Sequence, residues 1–570
     1  MSYLVGIDVG GTNTNAVLLK NDVVLATAKA ATDHKHLHLG TMQAIASVLK
    51  FVPASEGKPI ELHLSTTLAT NAVVEGKGAP TAAVIIPGPG LRWEELGLAF
   101  KLFPVKGYID HRGREQAPLD HNQLEEVLAE IKQSGFEAVA VIGKFSPRNL
   151  QHELEVEELV TRKFPELLPV TLGHRLSGRL NFPRRITTAV LNASIAKIQA
   201  KFVSMVQEVK DRYNLGRIYL LKADGGGIDL KVSITRPIET ILSGPAASLM
   251  ATMALVEEIG DAVVLDIGGT TTEISLFYRG EPLTERDGAE IAGFATLVPA
   301  LFSRSLGLGG DSAVNYDGHK VSIGPWREGP PVALGGPRVT PTDAVVALGA
   351  ANIGDQERAI QALKEMGACY EIDPIIMAKK IVTAFSLKAA EAINEIYISL
   401  NSRPVYTVSQ VMAGENLKPD RLIGMGGPAA YFIPKIAEQM GLPFTVLPYH
   451  EAANAIGAAA SRPTVATTLR ADTALGKLVV PELDYVANIP RPLLFNLEAA
   501  RREAIAKTIT YAEQMGTLFE PSEIEVTEEE VFNMVRGFHM VGKNYTLTTQ
   551  VKPQVRRIKK HRDEMGEDSE

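Results

Sequence analysis

One stretch of this chain is written twice. Residues 5–18 read VGIDVGGTNTNAVL and residues 263–276 read VVLDIGGTTTEISL. Each copy is an apolar run, an aspartate, a Gly-Gly-Thr turn and a second run of alternating apolar residues. That order spells strand, tight turn, strand, a β-hairpin. Two hairpins of one build, so far apart in the chain, call for two similar lobes, each opening on its own copy.

The residues of the turn carry the chemistry. Gly10–Gly11 and Gly268–Gly269 let backbone N–H groups approach an anion closely. Thr12, Thr14, Thr270, Thr271 and Thr272 add hydroxyl donors, and Asn13 is a further nucleotide contact of the first turn. Asp8 and Asp266 stand at the roots of the turns, where a carboxylate can order Mg²⁺-bound water or an attacking nucleophile. A phosphate loop with aspartate at its root fits a nucleotide with Mg²⁺. A third glycine cluster, Gly424–Ala430, follows the apolar Arg421–Ile423 and precedes a helical stretch over Tyr431–Met440. Strand, glycine turn and helix make a nucleotide edge, with Gly426 and Gly427 as its contacts. No G-x-x-x-x-G-K-[ST] loop occurs, and no G-x-G-x-x-G follows the first strand.

Composition narrows the partners. Lys+Arg number 58 against 66 Asp+Glu, a formal charge of −8, which argues against a general nucleic-acid binder. The single cysteine, Cys369, excludes an intramolecular disulfide and a cysteine-based metal centre. It reads as buried packing. Met1–Gly10 has no basic leader region, and no apolar run approaches a spanning helix. The chain is expected to be cytoplasmic and oligomeric, with no membrane partner.

The three glycine clusters together resemble the actin-like ATPase superfamily of sugar kinases, Hsp70 and actin. More closely, the chain is similar to the hydantoinase A / 5-oxoprolinase family. Ser65–Ala72 (STTLATNA), Arg184–Ala193 (RRITTAVLNA), Arg236–Ala247 (RPIETILSGPAA) and Val339–Gly349 (VTPTDAVVALG) match its segments, and Asn454–Gly457 falls where the family has a Ser-Ala-x-Gly-like segment. The similarity runs from about residue 3 to about residue 460. It implies an α/β, two-lobed, ribonuclease H-like ATPase fold, here with a small C-terminal α+β module. The implied activity is ATP-dependent, ring-opening hydrolysis of a cyclic amide such as 5-oxoproline or a hydantoin, with ATP phosphorylating the amide oxygen. Under that resemblance Asp8, Asp266 and Glu273 are catalytic. Asp8 and Asp266 also hold Mg²⁺ through water, and the three glycine clusters bind nucleotide. Thr70, Asn71, Asp224, Ser243 and Gly244 line the substrate cleft. A B-type hydantoinase subunit or another partner enzyme is implied as well.

The chain also departs from the family pattern. Asn15 and Glu273 stand where it has aspartate after the turns. His63 and Leu64 replace its His-Gly-Thr-Thr start, Asp224 replaces an asparagine, and Gly309–Ser312 reads GGDS. The nucleotide parts are thus kept better than those that would meet the amide. Two other activities stay open: an ATP-driven activator or reactivase of a partner enzyme, and a small-molecule kinase of the same fold.

Three units are expected: an N-terminal lobe over 1–183, a second lobe over 184–465, and a C-terminal module with charged tail over 466–570. Helices are expected at 119–134 with Asp120 as cap, at 152–163, 184–212, 376–402 and 491–513. A strand is expected at 138–142, a loop-rich region at 288–336, a bare connection at 463–490 and strands within 521–553. Ser243–Pro245 reads as a turn feeding a helix from Ala246. His34, His36 and His38 read as a solvated segment, and His174, beside Arg175 and Arg179, as surface charge or a contact for an acidic substrate.

Overall fold

The computed structural model describes residues 3–11, 13–32, 37–53, 59–285, 287–402, 416–551 and 553–559. Thr12, His34 and His36 lie outside the described residues, as does the side chain of His38.

Each copy of the repeated motif founds a sheet. In the first, Tyr3–Val9, Asn13–Lys20 and Val23–Ala31 form an antiparallel meander. Glu61–Thr66 and Ile218–Leu221 then extend it in parallel from Tyr3–Val9, and Gly227–Asp229 closes the edge. In the second, Ala262–Ile267, Thr272–Tyr278 and Glu281–Pro282 form the meander, and Arg421–Met425 and Phe444–Val446 the parallel extension. Both sheets therefore share one order: three antiparallel strands, then two parallel ones. Their central parallel strands are almost wholly buried, as strands covered on both faces are (Val263 and Leu265, for example, are fully buried), with polar residues such as His63 and Ser65 among them.

A four-stranded parallel sheet, Val170–Leu172, Ala138–Gly143, Thr81–Ile86 and Lys101–Pro104, is inserted into the first lobe. Helices His121–Gln133 and Gln151–Lys163 accompany it; Asp120 caps the first by accepting from the Gln123 N–H at 3.0 Å. The 32-residue helix Phe182–Tyr213 packs on both first-lobe sheets, with Ile186 and Ala189 on one and Val203 and Val206 on the other.

Between the two six-stranded sheets lie the helices Ser243–Leu255 and Ala453–Ala460. They approach closely because their facing residues are small. A Cβ on Gly6 would stand 2.1 Å from the Ala455 carbonyl oxygen, and one on Gly457 2.0 Å from that of Ala247. These glycines, with Ala455 and the alanine run 458–460, set the spacing of the lobes.

Three expectations are corrected. Residues 463–490 are not a bare connection: Ala466–Asp472, Lys477–Val480 and Tyr485–Asn488 are three antiparallel strands. They pair with His539–Val551 and then Ile524–Arg536 in a five-stranded sheet backed by helix Leu497–Gln514. The prolines and glycine of that stretch sit between the strands, which hid them. The helix expected from Ala246 begins at Ser243, because Leu242 takes a left-handed φ of 60° and turns the chain early. Cys369 is exposed, not buried.

The last two strands run on past their neighbours as a two-stranded arm. Phe538 at its tip is fully exposed, and Phe532, Val535 and Met540 are more than half exposed. Among the described residues, no helix is long and apolar enough to cross a membrane.

Candidate functional site

The two hairpin turns are built alike. The Gly10 N–H donates to the Asn13 carbonyl at 3.1 Å, and the Gly268 N–H to the Thr271 carbonyl at 2.9 Å. Gly11 has open space where a side chain would be. Register sets what stands beside each aspartate. Asp8 pairs with Asn15 across its hairpin and with Ser65 on the parallel side; Asp266 pairs with Glu273 and with Met425. Directly opposed residues share a face, so Glu273 joins Asp266 while Asn15 takes the matching place beside Asp8.

Asp8 is buried and Asp266 is half-buried. Burial raises the Asp8 carboxyl to about 7; nearby Ser65 and Asn454 oppose the rise, and the Asp266 charge adds to it. Burial likewise raises Asp266, against hydrogen bonds from Asn454 and Ser248. The Asn454 amide donates to Asp266 Oδ2 at 2.8 Å, and the Ser248 hydroxyl donates to the same oxygen at 2.8 Å. Asn454 thus stands between the two carboxylates, held there by the helix that spaces the lobes. Glu273 is raised by burial and accepts from Ser305 at 2.6 Å and Ser303 at 3.5 Å.

The second turn is buttressed by a neighbouring loop, whereas in the first the Gly10 carbonyl accepts from the Thr32 hydroxyl at 2.9 Å. The Gly310 and Asp311 N–H groups donate to the Gly268 and Gly269 carbonyls at 3.0 and 2.7 Å. Asp311 is thereby set against Gly269, with Arg327 at 3.0 Å from its carboxylate. Gly426 lies directly on the Asp266 strand. Its φ is 95°, and a Cβ there would meet the Ile267 carbonyl oxygen at 2.2 Å and Asp266 Oδ1 at 2.8 Å. Gly427 faces open space, at the uncapped start of helix Ala429–Met440. Gly426→Ala is expected to cost about 1–3 kcal/mol through backbone strain alone, more as Asp266 is pushed aside. Urea denaturation measures it, and an unchanged midpoint would contradict this placement.

The remaining expected residues divide. Ser243 is fully buried and donates its hydroxyl to the Thr66 carbonyl at 2.8 Å, tying the start of its helix to the end of the Glu61–Thr66 strand. Gly244 follows it, open to space, on an end with no side-chain cap. Its free N–H groups suit an anion. Thr70 accepts from the Leu242 N–H at 3.1 Å and so holds the tight turn before that helix. The Asn71 amide reaches only the Thr67 hydroxyl, at 3.4 Å. Asp224 belongs elsewhere. It pairs with Lys222 and accepts from Thr464, both at 3.0 Å, in the wall of a separate cavity of about 450 Å³ that Arg236, Glu239 and Tyr511 also line.

His63 is buried, with Nδ1 3.1 Å from the Ala458 carbonyl oxygen. His174 is neither surface charge nor substrate contact: it is fully buried between Glu153 and Asp484. Sequence reasoning missed Ser65, Ser248 and Asn454 as partners of the aspartates. The one available signal was a polar residue inside an apolar run, as Asn454 is among alanines.

Two hairpins of one build, facing each other from matched sheets across paired aspartates, define the two-lobed actin-like ATPase fold. The chain belongs to the hydantoinase/oxoprolinase family: the model of the N-terminal region matches residues 4–164, and the hydantoinase/oxoprolinase model matches residues 185–467. Caprolactamase subunit alpha of Pseudomonas jessenii is 25% identical over 484 residues, 78% of this chain and 68% of that protein. The acetophenone carboxylase gamma subunit of Aromatoleum aromaticum is 26% identical, over 61% of this chain and 53% of that protein. The chain thus spans between half and about two thirds of the length of these relatives. Among solved structures, nucleotide-free acetone carboxylase superposes with a TM-score of 0.71 at 16% identity, covering 97% of this chain and 88% of that one. The ATP-dependent caprolactamase of P. jessenii superposes at 0.69 and 20%, covering 98% and 88%.

Proposed function

We propose that this chain is an ATP-dependent hydrolase that opens a cyclic amide such as 5-oxoproline or a hydantoin, working in the cytoplasm. The observation that carries the reading is the pairing of Asp8, buried, with Asp266, half-buried, between two like hairpin turns. Two carboxylates driven towards protonation by burial, with no cation paired to either among the described residues, suit a divalent ion. Among those residues no three His, Cys, Asp or Glu side chains are grouped to ligate a metal. The fit is therefore to Mg²⁺ held largely through its own water. Mg²⁺ supplies neutralisation of charge on the transferring phosphoryl group.

The protein's part is set by its geometry. The N–H groups of Gly10–Gly11 and Gly268–Gly269, with Thr270 and Thr271, cradle phosphates. Gly426 and Gly427 bear on the nucleotide's other end, and Thr12 and Asn13 complete the first turn. The open helix start at Ser243–Gly244 favours the developing anion. Asp8 stands where it can take a proton from water or from the substrate, and Glu273 supports Asp266. The amide oxygen attacks the γ-phosphorus and ADP leaves; water then adds at the activated carbon, the C–N bond breaks and phosphate departs.

A second reading, ATP-dependent carboxylation, is favoured by the acetophenone carboxylase relative. Both readings begin with phosphorylation of an oxygen and differ in whether water or a carbon nucleophile reacts next. The two curated relatives named above are called subunits, and the apolar arm at 531–541 is a surface a partner subunit can cover, so the working enzyme is proposed to be an assembly. ADP release with Mg²⁺ and ATP tests the reading, alone and with 5-oxoproline, hydantoin, N-methylhydantoin and caprolactam, and separately with acetophenone and bicarbonate. Stimulation by one ring, matched by ring-opened product, is the expected result. Stimulation only by ketone with bicarbonate would replace the amidase with a carboxylase.

A further inference from the structure

A second cavity, of about 270 Å³, lies where the first lobe meets the C-terminal module, and it shares no residue with the hairpin cleft. Two short loops of the lobe bring Arg112 and Arg148 to it. Strands Ala466–Asp472 and Lys477–Val480 of the module bring Arg470, Asp472 and Lys477. Four cations thus line a small space beside one carboxylate.

That carboxylate is already occupied. Asp472 receives Arg112 Nη2 at 3.3 Å and the Leu475 N–H at 2.9 Å. Arg470 donates only to neutral oxygens, the Gly178 carbonyl at 2.9 and 3.1 Å and the Thr546 hydroxyl at 3.2 Å. Among the described residues the Arg148 guanidinium has no hydrogen-bond or ion-pair partner, and the Nε atoms of Arg112 and Arg148 are both buried without an acceptor. Burial and the neighbouring Arg112 push Arg148 below the ordinary arginine range, though Asp472, Asp110 and Glu530 oppose this. Arg470 is likewise lowered by burial and by Arg148, against the charges of Glu482 and Glu530.

The loops are built to hold this arrangement. Gly113 has a φ of 85°, and a Cβ there would meet the Arg148 carbonyl oxygen at 2.7 Å. The Asn149 amide donates back to the Gly113 carbonyl at 3.0 Å. Like charges gathered in a partly dry space, with donors left unpaired, are costly unless an anion completes them.

We propose that this cavity binds a small oxyanion of two or more negative charges, a phosphate or a short dicarboxylate. Guanidinium forks match both through paired N–H···O bonds. At about 270 Å³ the space lies at the small end of ligand pockets, which suits a compact anion. Since Arg112 and Arg148 come from the lobe and Arg470 and Lys477 from the module, the anion clamps one onto the other. The assignment does not depend on the cyclic-amide reading.

Thermal denaturation and titration calorimetry of the full chain test it, with potassium phosphate, sulfate and malonate against chloride and nitrate at matched ionic strength. Wild type is expected to gain several degrees from phosphate or malonate and nothing from chloride or nitrate; which of the two binds tighter identifies the source. Arg148→Met is expected to weaken that binding about 10-fold or more, and in chloride to be at least as stable as wild type, because it removes an unpaired charge. Lys477→Met, at an exposed position, is expected to weaken binding with the fold untouched. An anion gain that survives Arg148→Met, no gain beyond chloride in wild type, or a loss of stability by Arg148→Met in chloride would each overturn the proposal.

Discussion

Asp8→Asn and Asp266→Asn are each expected to lower ATP turnover by about 10²–10⁴-fold, the range over which a positioned acid–base group contributes. The two variants keep the shape of the site, including most of its contacts to Ser65, Ser248 and Asn454, so the fold survives. Asp8→Asn carries a second expectation with the opposite sign. Burial lifts the Asp8 carboxyl from 3.8 to about 7, so the folded chain holds that proton more tightly than the unfolded one. Well below pH 3.8 both states are protonated and the aspartate costs nothing, and at pH 4 the cost is still small. As pH climbs to 7 the unfolded state ionises first, and stability falls; above 7 the full penalty applies, on the order of 4 kcal/mol. Asparagine removes it. The variant is therefore expected to be nearly inactive yet more stable than wild type at pH 8, and close to it at pH 4. Steady-state ADP release and urea midpoints at the two pH values read both effects. Wild-type turnover in either variant would remove the pair from the chemistry. A stability loss at pH 8 in Asp8→Asn would mean that the carboxylate is held by structure rather than kept for function.

The parts of this arrangement that the sequence displays are those with local causes. Asp-x-Gly-Gly-Thr between two apolar runs can be read because each residue acts within its own turn, and the repetition identifies a pair of such turns. Helices with caps, such as the one behind Asp120, declare themselves for the same reason. What stayed hidden depends on register and on packing between distant segments. Nothing near residue 8 signals that Ser65 will lie beside it; the parallel pairing of two strands half a lobe apart puts it there. Asn454 reaches Asp266 only because Gly6, Ala247 and Gly457 let one helix sink between the sheets. Asp224 shows the reach of long-range contacts in another way. Its glycine-rich setting looks like a site loop, yet a neighbouring lysine and a distant threonine claim its oxygens and turn it into another cavity. The strands at 466–488 were obscured by proline and glycine that punctuate them, and only pairing with residues 539–551 completes the sheet.

The same long-range logic makes the junction of lobe and module the place where a single substitution should cost most stability. His174→Gln is expected to lower it by about 3–5 kcal/mol, the cost of breaking a buried ion pair. His174 Nδ1 lies 2.6 Å from Glu153, and Nε2 lies 2.7 Å from Asp484 of the module. Glu153 is fully buried, and its nearest other cation, Arg185, is 3.8 Å away and directs its hydrogen bonds to Ser146 and to the Gly143 and Lys144 carbonyls. Burial alone would push the imidazole down, but the Glu153 charge and the Asp484 hydrogen bond overcome it and raise His174 to about 9. A histidine raised in the folded state stabilises fully below its ordinary value of 6.5. That contribution declines as pH rises and is lost through about 9, on the order of 3 kcal/mol over the window. Wild type should therefore lose on the order of 3 kcal/mol more stability than His174→Gln between pH 6.5 and 9. Glu153→Gln in the same chain should restore part of the loss, because the buried carboxylate is then no longer left unpaired, and the four-way comparison isolates the coupling. Denaturant midpoints at pH 6, 7.5 and 9 decide it. Parallel pH profiles for wild type and His174→Gln would mean that the imidazole is neutral in the folded protein and that the module is held to the lobe by Arg175, which joins Asp484 to Glu157.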